Sequence, residues 1–188
     1  ILREYDSGSE AKLRLQTEAR MDGEYYKDLL ETSKDIEDGF ILARTIGLMV
    51  DLTNLKIASR AAIENTGVAT SDCIIEGGYL LSHQALEGMM SGKLNDIPTS
   101  LGGTQYRNMA EEMVASYNKS GSITATEEVI DRYRMEMLKE ILSPRVMSPL
   151  VIIWYLTVKE MELKNLRMVL KAVFDGIVVD EIKEYLVF

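Results

Sequence analysis

The sequence has 188 residues, with 21 basic and 30 acidic side chains and a formal net charge of −9. This balance argues against a nucleic-acid surface, because binding to phosphates requires a basic face that displaces counterions. Hydrophobic residues make up 46% of the chain and Cys73 is its one cysteine, so we expect a globular protein of one or two domains without an internal disulfide.

Apolar residues at helical spacing dominate the first part of the chain. They predict a helix over residues 22–33 and a longer helix that is capped by Asp35 and runs to about Ala62. Gly39 and Gly47 each weaken that longer helix by about 1 kcal/mol relative to alanine. We therefore interpret these two glycines as points of close helix contact.

The middle of the chain alternates between loop-forming and helix-forming composition. Residues 65–78 contain clustered Gly, Thr, Ser and Asp, which predicts a loop. We expect a helix over 79–90, a second loop over 92–103, a helix over 104–117 and a turn over 118–122.

The last third carries clearer signals for the ends of helices. Thr124 and Glu127 form a capping-box pattern, which predicts a helix that ends near Pro144. Ser148 followed by Pro149 predicts the start of another helix, which runs to Phe174. A short final helix is expected after Asp180. No alternation typical of β-strands extends beyond a few residues, so the predicted class is all-α.

A six-residue motif recurs at an offset of 111 residues. Residues 51–56, DLTNLK, return as residues 162–167, ELKNLR, and each copy lies late in a predicted long helix. A repeat of this kind indicates units that bury their apolar faces on one another. The match continues beyond the six residues, because Arg60-Ala61 aligns with Lys171-Ala172. The candidate functional residues are taken from the two copies and this continuation: Asp51, Asn54, Lys56, Arg60, Glu162, Asn165, Arg167 and Lys171.

Asparagine is a poor residue for the interior of a helix, yet Asn54 and Asn165 occupy equivalent helical positions. Its recurrence suggests that each amide has a hydrogen-bonding partner. One interpretation is that each asparagine ties its helix to a loop of its own repeat, and the other is direct contact with a partner protein.

The repeated helix resembles the C subunit of the A/V-type rotary ATPases, to which the d subunit of the eukaryotic V-ATPase is similar. The motif (D/E)-L-x-N-L-(K/R) carries the resemblance, together with residues 76–80, EGGYL, residues 104–106, TQY, and residues 178–186, VVDEIKEYL. The resemblance implies a funnel-like protein built from pseudo-repeated helical bundles, here without its N-terminal part. The implied division is an incomplete repeat (1–62), a loop connection (63–78), a complete repeat (79–174) and a short C-terminal helix (175–188).

The function that the resemblance implies is that of a non-catalytic central-stalk subunit. Such a protein would couple the rotor axle to the membrane ring that translocates protons or sodium ions. Its partners would be axle and ring subunits, and it would reach the membrane only through the ring, on the cytoplasmic face.

The residues themselves suggest no catalytic chemistry. No phosphate-binding G-x-x-x-x-G-K-[ST] loop and no histidine-containing metal pattern is present, so we expect no cofactor, metal or small-molecule ligand. The most apolar run, 149–158, is about half the roughly 20 residues needed to cross a bilayer. An all-α scaffold unrelated to rotary ATPases is the main alternative, and a helical enzyme with a converging carboxylate pair is a weaker one.

Overall fold

The computed structural model describes residues 7–65, 71–177 and 186, with side chains described for 16–65, 72–177 and 186. Within these ranges the chain is all-α, as predicted, with no strand. The described residues contain seven α-helices, α1 (Ser7–Thr32), α2 (Gly39–Glu64), α3 (His83–Ser91), α4 (Ile97–Ser100), α5 (Arg107–Ser120), α6 (Ile123–Leu142) and α7 (Leu150–Phe174).

The chain divides into two compact units, residues 1–130 and 131–188, and the boundary falls inside α6. The four-part division suggested by the repeat stays a prediction. No helix among the described residues is long and apolar enough to cross a membrane.

Helix α2 is the centre of the first unit, where it packs against both α1 and α3. It is apolar on most of its circumference, which is the pattern of a buried helix. Residues on several faces are almost fully buried, among them Ile46, Val50, Leu55 and Ala58. The helix therefore presents Asp51 and Asn54 inside a core, whereas Lys56 and Arg60 are partly exposed.

The turn between α1 and α2 differs from the prediction. Helix α1 begins at Ser7, well before residue 22, and the predicted cap Asp35 instead closes a short 3-10 turn. The cap position of α2 belongs to Asp38, which has a left-handed backbone with φ 59°. The turn is tight, because a Cβ atom on Gly39 would overlap the carbonyl oxygen of Ser33.

Three predicted boundaries in the middle of the chain are also wrong. Residues 79–82 precede α3, which begins at His83 after a cap in which the Ala85 amide donates to Ser82 Oγ at 3.2 Å. The expected loop 92–103 contains α4, whose first turn includes Pro98. Helix α5 begins after Tyr106 and continues to Ser120, through part of the expected turn.

The predicted bounds of α7 are close to those observed. The amide of Leu150 donates to Ser148 Oγ at 3.3 Å, and the helix ends at Phe174, as expected. Gly176 follows with φ 72°, the left-handed conformation that commonly terminates helices. The short helix predicted after Asp180 lies outside the described residues.

The two motif helices begin and end at equivalent places. Helix α2 begins at Gly39 and α7 begins at Leu150, an offset of 111 residues that is also the offset between the motifs. The residues with a left-handed backbone that follow the two helices in the chain, Asn65 and Gly176, are separated by the same offset. The two motif helices therefore resemble each other in length and in how they end as well as in sequence.

Candidate functional site

Asn54 joins α2 to the loop that precedes α3. Its side-chain nitrogen donates to the carbonyl oxygen of Ile75 at 2.8 Å, and its side-chain oxygen accepts from the amide of Ile75 at 2.8 Å. Both bonds are buried, and together they satisfy the donor and the acceptor of one loop residue. Asn54 therefore ties its helix to the loop that follows it in the chain.

Asp51 lies one turn earlier on α2 and binds the continuation of the same loop. Its carboxylate accepts from the amides of Tyr79 at 3.1 Å, Leu80 at 2.8 Å and Leu81 at 3.3 Å. The hydroxyl of Tyr106, at the start of α5, donates to the same carboxylate at 3.0 Å. We call this arrangement, Asp51, Asn54 and Tyr106 with residues 75–81, the loop clamp.

The pKa of Asp51 reflects two opposing influences. Burial raises the pKa above its ordinary value of 3.8, while the hydrogen bonds from Leu80, Tyr106, Leu81 and Tyr79 lower it, and burial has the larger effect. The clamp therefore surrounds a carboxylate with donors without removing the cost of desolvating its charge.

Glycines allow the loop to approach α2 closely. A Cβ atom on Gly78 would collide with the Asp51 carboxylate, and one on Gly47 would lie 3.0 Å from Tyr79 Cβ. Gly77 has φ 99°, a conformation that side-chain-bearing residues rarely adopt. The close contact expected at Gly47 is confirmed, although its neighbour is a loop and not a second helix.

Arg60 and Lys56 lie beyond the clamp, towards the end of α2. The Arg60 guanidinium pairs with the carboxylate of Glu127 at the start of α6. Both basic residues line a cavity of about 250 Å³ together with Glu127 and the α1 residues Glu18 and Asp22. No group of three or more potential metal ligands occurs among the described residues.

The second motif copy has a different environment. Glu162 is exposed, with its carboxylate 2.6 Å from Lys159 Nζ, and Arg167 and Lys171 are exposed as well. Asn165 is half-buried and lines a mainly apolar cavity of about 580 Å³. Leu186, which follows Ile75 at the repeat offset of 111 residues, lines that same cavity.

Two contributors to the clamp cannot be found from the sequence. Tyr106 belongs to the TQY segment, but nothing in the spacing links its hydroxyl to Asp51. Ile75 uses only its backbone, which leaves no signature in a sequence. The EGGYL segment is recognisable by its glycines, and the structure gives those glycines a physical role in the approach to α2.

Comparison with known proteins identifies the family. The profile described as ATP synthase (C/AC39) subunit matches residues 2–185, nearly the whole chain. The chain belongs to this family. The alternative of a helical scaffold unrelated to rotary ATPases is therefore wrong.

Curated relatives in this family are described as the C subunit of A-type ATP synthases. The protein of Methanosphaera stadtmanae is 32% identical over 168 residues, which are 87% of this chain and 44% of the relative. That of Methanobrevibacter smithii is 31% identical over 84% of this chain and 42% of the relative. That of Methanocaldococcus jannaschii is 26% identical over 90% and 43%, respectively.

The chain thus spans less than half the length of the curated relatives that it matches. No solved structure matches it.

Proposed function

We propose that this member of the C/AC39 family is a non-catalytic part of the central stalk of an A/V-type ATP synthase. It would couple the rotor axle to the membrane ring that translocates protons or sodium ions. The family match over residues 2–185 is the observation that carries the proposal. The location that follows is peripheral, on the cytoplasmic face of the membrane, with contact to the bilayer only through the ring.

The architecture of the first unit supports a mechanical role. A coupling element must transmit torque without bending, and a long helix that is packed on several sides resists bending. Helix α2 has 26 residues and is held along its length by α1, by α3 and by the loop clamp. In this proposal the polar motif residues stiffen the rotor and take no part in a reaction.

The charge of the chain supports association with basic surfaces. With a net charge of −9, the chain would be steered towards a basic axle or towards basic loops of a ring. We further propose that repeated bundles of this kind form a funnel, as the family resemblance implies.

Coupling can be tested in membranes from the source cells. Depletion of the protein should leave ATP hydrolysis by the soluble motor measurable but abolish hydrolysis-driven ion pumping, because the axle would no longer turn the ring. Re-addition of the purified protein should restore pumping. Pumping that is unchanged after depletion would contradict the proposal.

A structural readout separates coupling from indirect effects on assembly. The intact complex, purified in detergent, should contain this protein in a fixed stoichiometry, cross-linked to axle and ring subunits. Met147→Ala is a suitable control for re-addition, because Met147 is 96% exposed and lies outside both motif helices. A protein that cross-links to neither the axle nor the ring would not be part of the central stalk.

A further inference from the structure

Asn165 and Leu186 line the same cavity of the second unit. The cavity has a volume of about 580 Å³ and a mainly apolar lining, to which α7 contributes Trp154, Val158 and Met161. Asn165 is half-buried in this lining, and Leu186, which is also half-buried, comes from the stretch beyond α7. Withdrawing an amide from water costs free energy unless the amide forms other hydrogen bonds. We therefore expect partners for the Asn165 side chain close to this cavity.

The first unit shows which partner an asparagine at this helical position takes. Asn54 binds both the amide and the carbonyl oxygen of Ile75, each at 2.8 Å, and the two residues are 21 positions apart. Asn165 and Leu186 have the same separation, and each follows its counterpart at the offset of 111 residues. The repeat therefore puts an asparagine and an aliphatic residue at equivalent positions in both copies.

The connection between the two residues is also equivalent in the two copies. A left-handed residue follows each helix, and ten further residues lead from Asn65 to Ile75 and from Gly176 to Leu186. The return from Gly176 to the level of Asn165 covers about 16 Å at the helical rise of 1.5 Å per residue. Ten residues reach that far at about half of their extended length. Leu186 does lie at the Asn165 cavity, which is where this return brings the chain.

We propose that Asn165 forms a second clamp, in which it binds the backbone of Leu186. The side-chain nitrogen of Asn165 donates to the carbonyl oxygen of Leu186, and the side-chain oxygen accepts from the Leu186 amide. Asn165 is thus a positioning residue that fastens the stretch beyond α7 to the side of that helix and holds the Leu186 side chain at the apolar cavity. This clamp does not depend on the proposed coupling function.

The second clamp is weaker than the first, because it has no carboxylate and is less buried. Glu162, the counterpart of Asp51, is exposed and has its carboxylate 2.6 Å from Lys159 Nζ. Asn165 is half-buried, whereas Asn54 is 1% exposed. Water therefore competes more effectively for the second pair of hydrogen bonds, and the second clamp opens more often than the first.

Hydrogen exchange of the whole chain, followed by NMR at the Leu186 amide, tests the second clamp. In the wild type this amide should exchange more slowly than in an unfolded peptide. Asn165→Ala should speed its exchange by about fivefold or more, the effect expected when one hydrogen bond is lost. The same variant should leave exchange at the Ile75 amide unchanged, which provides the matched control within one protein.

Asn165→Asp separates a direct hydrogen bond from a general loosening of the second unit. A carboxylate can still accept from the Leu186 amide but cannot donate to the Leu186 carbonyl oxygen. Asn165→Asp should therefore slow exchange at Leu186 relative to Asn165→Ala. Exchange at the Met161 amide within α7 should be the same in both variants and in the wild type, because the helix itself does not depend on the clamp.

The wild type provides a second readout that needs no variant. A scalar coupling across the hydrogen bond should join the backbone nitrogen of Leu186 to the side-chain carbonyl carbon of Asn165. The bonded pair of Asn54 and Ile75 should give the same kind of signal in the same spectrum and serves as the internal standard.

Several outcomes would overturn the proposal. They are exchange at the Leu186 amide that is as fast as in an unfolded peptide, exchange that Asn165→Ala does not change, and equal acceleration by Asn165→Ala and Asn165→Asp. A coupling that is detected at Ile75 but absent at Leu186 would also overturn it. No ATPase component is used, so failure here is distinguishable from failure of the coupling proposal.

Discussion

Helices α2 and α7 share a motif, a starting offset and a manner of termination, but they differ in burial. In α2 the motif lies in the core, where Asp51, Asn54 and Leu55 are each at most 1% exposed. In α7 the equivalent glutamate and leucine lie at the surface, and the equivalent asparagine is half-buried. The same sequence pattern thus serves a covered helix in one unit and an open helix in the other.

This difference shows that the motif determines the helix but not its surroundings. The elements that bury α2 lie on both sides of it in the chain, namely α1 before it and the clamped loop, α3 and Tyr106 after it. A motif residue therefore contributes to stability in proportion to what those elements place against it. Paired substitutions at equivalent positions of α2 and α7 can measure this contribution.

The largest difference is expected for the paired leucines. Leu55→Ala should reduce the free energy of unfolding by about 2–5 kcal/mol, because it leaves a cavity in a packed core. Leu166→Ala should change it by less than about 0.5 kcal/mol, because its side chain is already largely solvated. Urea unfolding of both variants provides the measurement, and equal losses would show that α7 is covered in solution.

The paired asparagines should differ by somewhat less. Asn54→Ala removes both hydrogen bonds to Ile75 and leaves a buried amide and a buried carbonyl without their partner, at a cost of about 2–4 kcal/mol. Asn165→Ala should cost less, because Asn165 is only half-buried. Thermal unfolding of the two variants, with hydrogen exchange at the Ile75 amide, tests this prediction. Hydrogen exchange at the Ile75 amide of Asn54→Ala that is as slow as in the wild type would contradict the prediction.

The stability that Asp51 contributes should depend on pH. Because burial raises the pKa of Asp51, the folded chain holds that proton more tightly than the unfolded chain does. The resulting stability is complete below the unfolded pKa of about 3.8 and is lost as the pH rises through the folded pKa. The stability of the wild type relative to Asp51→Asn should therefore fall as the pH rises from below 3.8 through the folded pKa of Asp51.

The stability difference is measured from the urea midpoints of the wild type and Asp51→Asn at several pH values. The titration of the other carboxyl groups affects both proteins and largely cancels in the difference. Glu162→Gln serves as the matched control at the equivalent, exposed position. If the stability of the wild type relative to Asp51→Asn increased with pH, folding would lower the pKa of Asp51 and not raise it, which would contradict the prediction.

The smallest effects are expected for the ion pairs. Arg60 pairs with Glu127 in the first unit, and Lys164 lies 2.9 Å from Asp131 in the second. Three of these four side chains are substantially accessible to solvent, which weakens the attraction between the charges. Double-mutant cycles should therefore give coupling energies of about 1 kcal/mol or less for each pair. Added salt should reduce both values. A coupling above about 2 kcal/mol would show that the pair is more strongly desolvated than its exposure indicates.

The helical class and the bounds of α7 could be predicted because their signals are local. Apolar spacing indicates helices, and a serine followed by a proline lies just before α7 while a glycine lies shortly after it. The prediction failed at residue 79, where the chain conformation is set by a distant group. A carboxylate 28 residues away binds the amide of Tyr79, and no local propensity reports that contact.

The candidate site was predictable to a similar extent. The internal repeat alone singles out Asp51 and Asn54, because repeated polar residues in a helix require partners. The identity of those partners was not predictable, since Ile75 contributes only backbone atoms and Tyr106 lies 55 residues from Asp51. The sequence also could not show that one motif copy is buried and the other exposed, because both copies have leucine at the equivalent positions.

The bond between Tyr106 and Asp51 has a consequence for the order of assembly during synthesis. The ribosome releases α2 and its loop well before residue 106, so the Asp51 carboxylate must first find its other donors or remain hydrated. The last donor arrives only with the beginning of α5. Nascent chains that end before this tyrosine should therefore hold the α2 region less firmly than chains that extend past it, because contacts between distant residues close late.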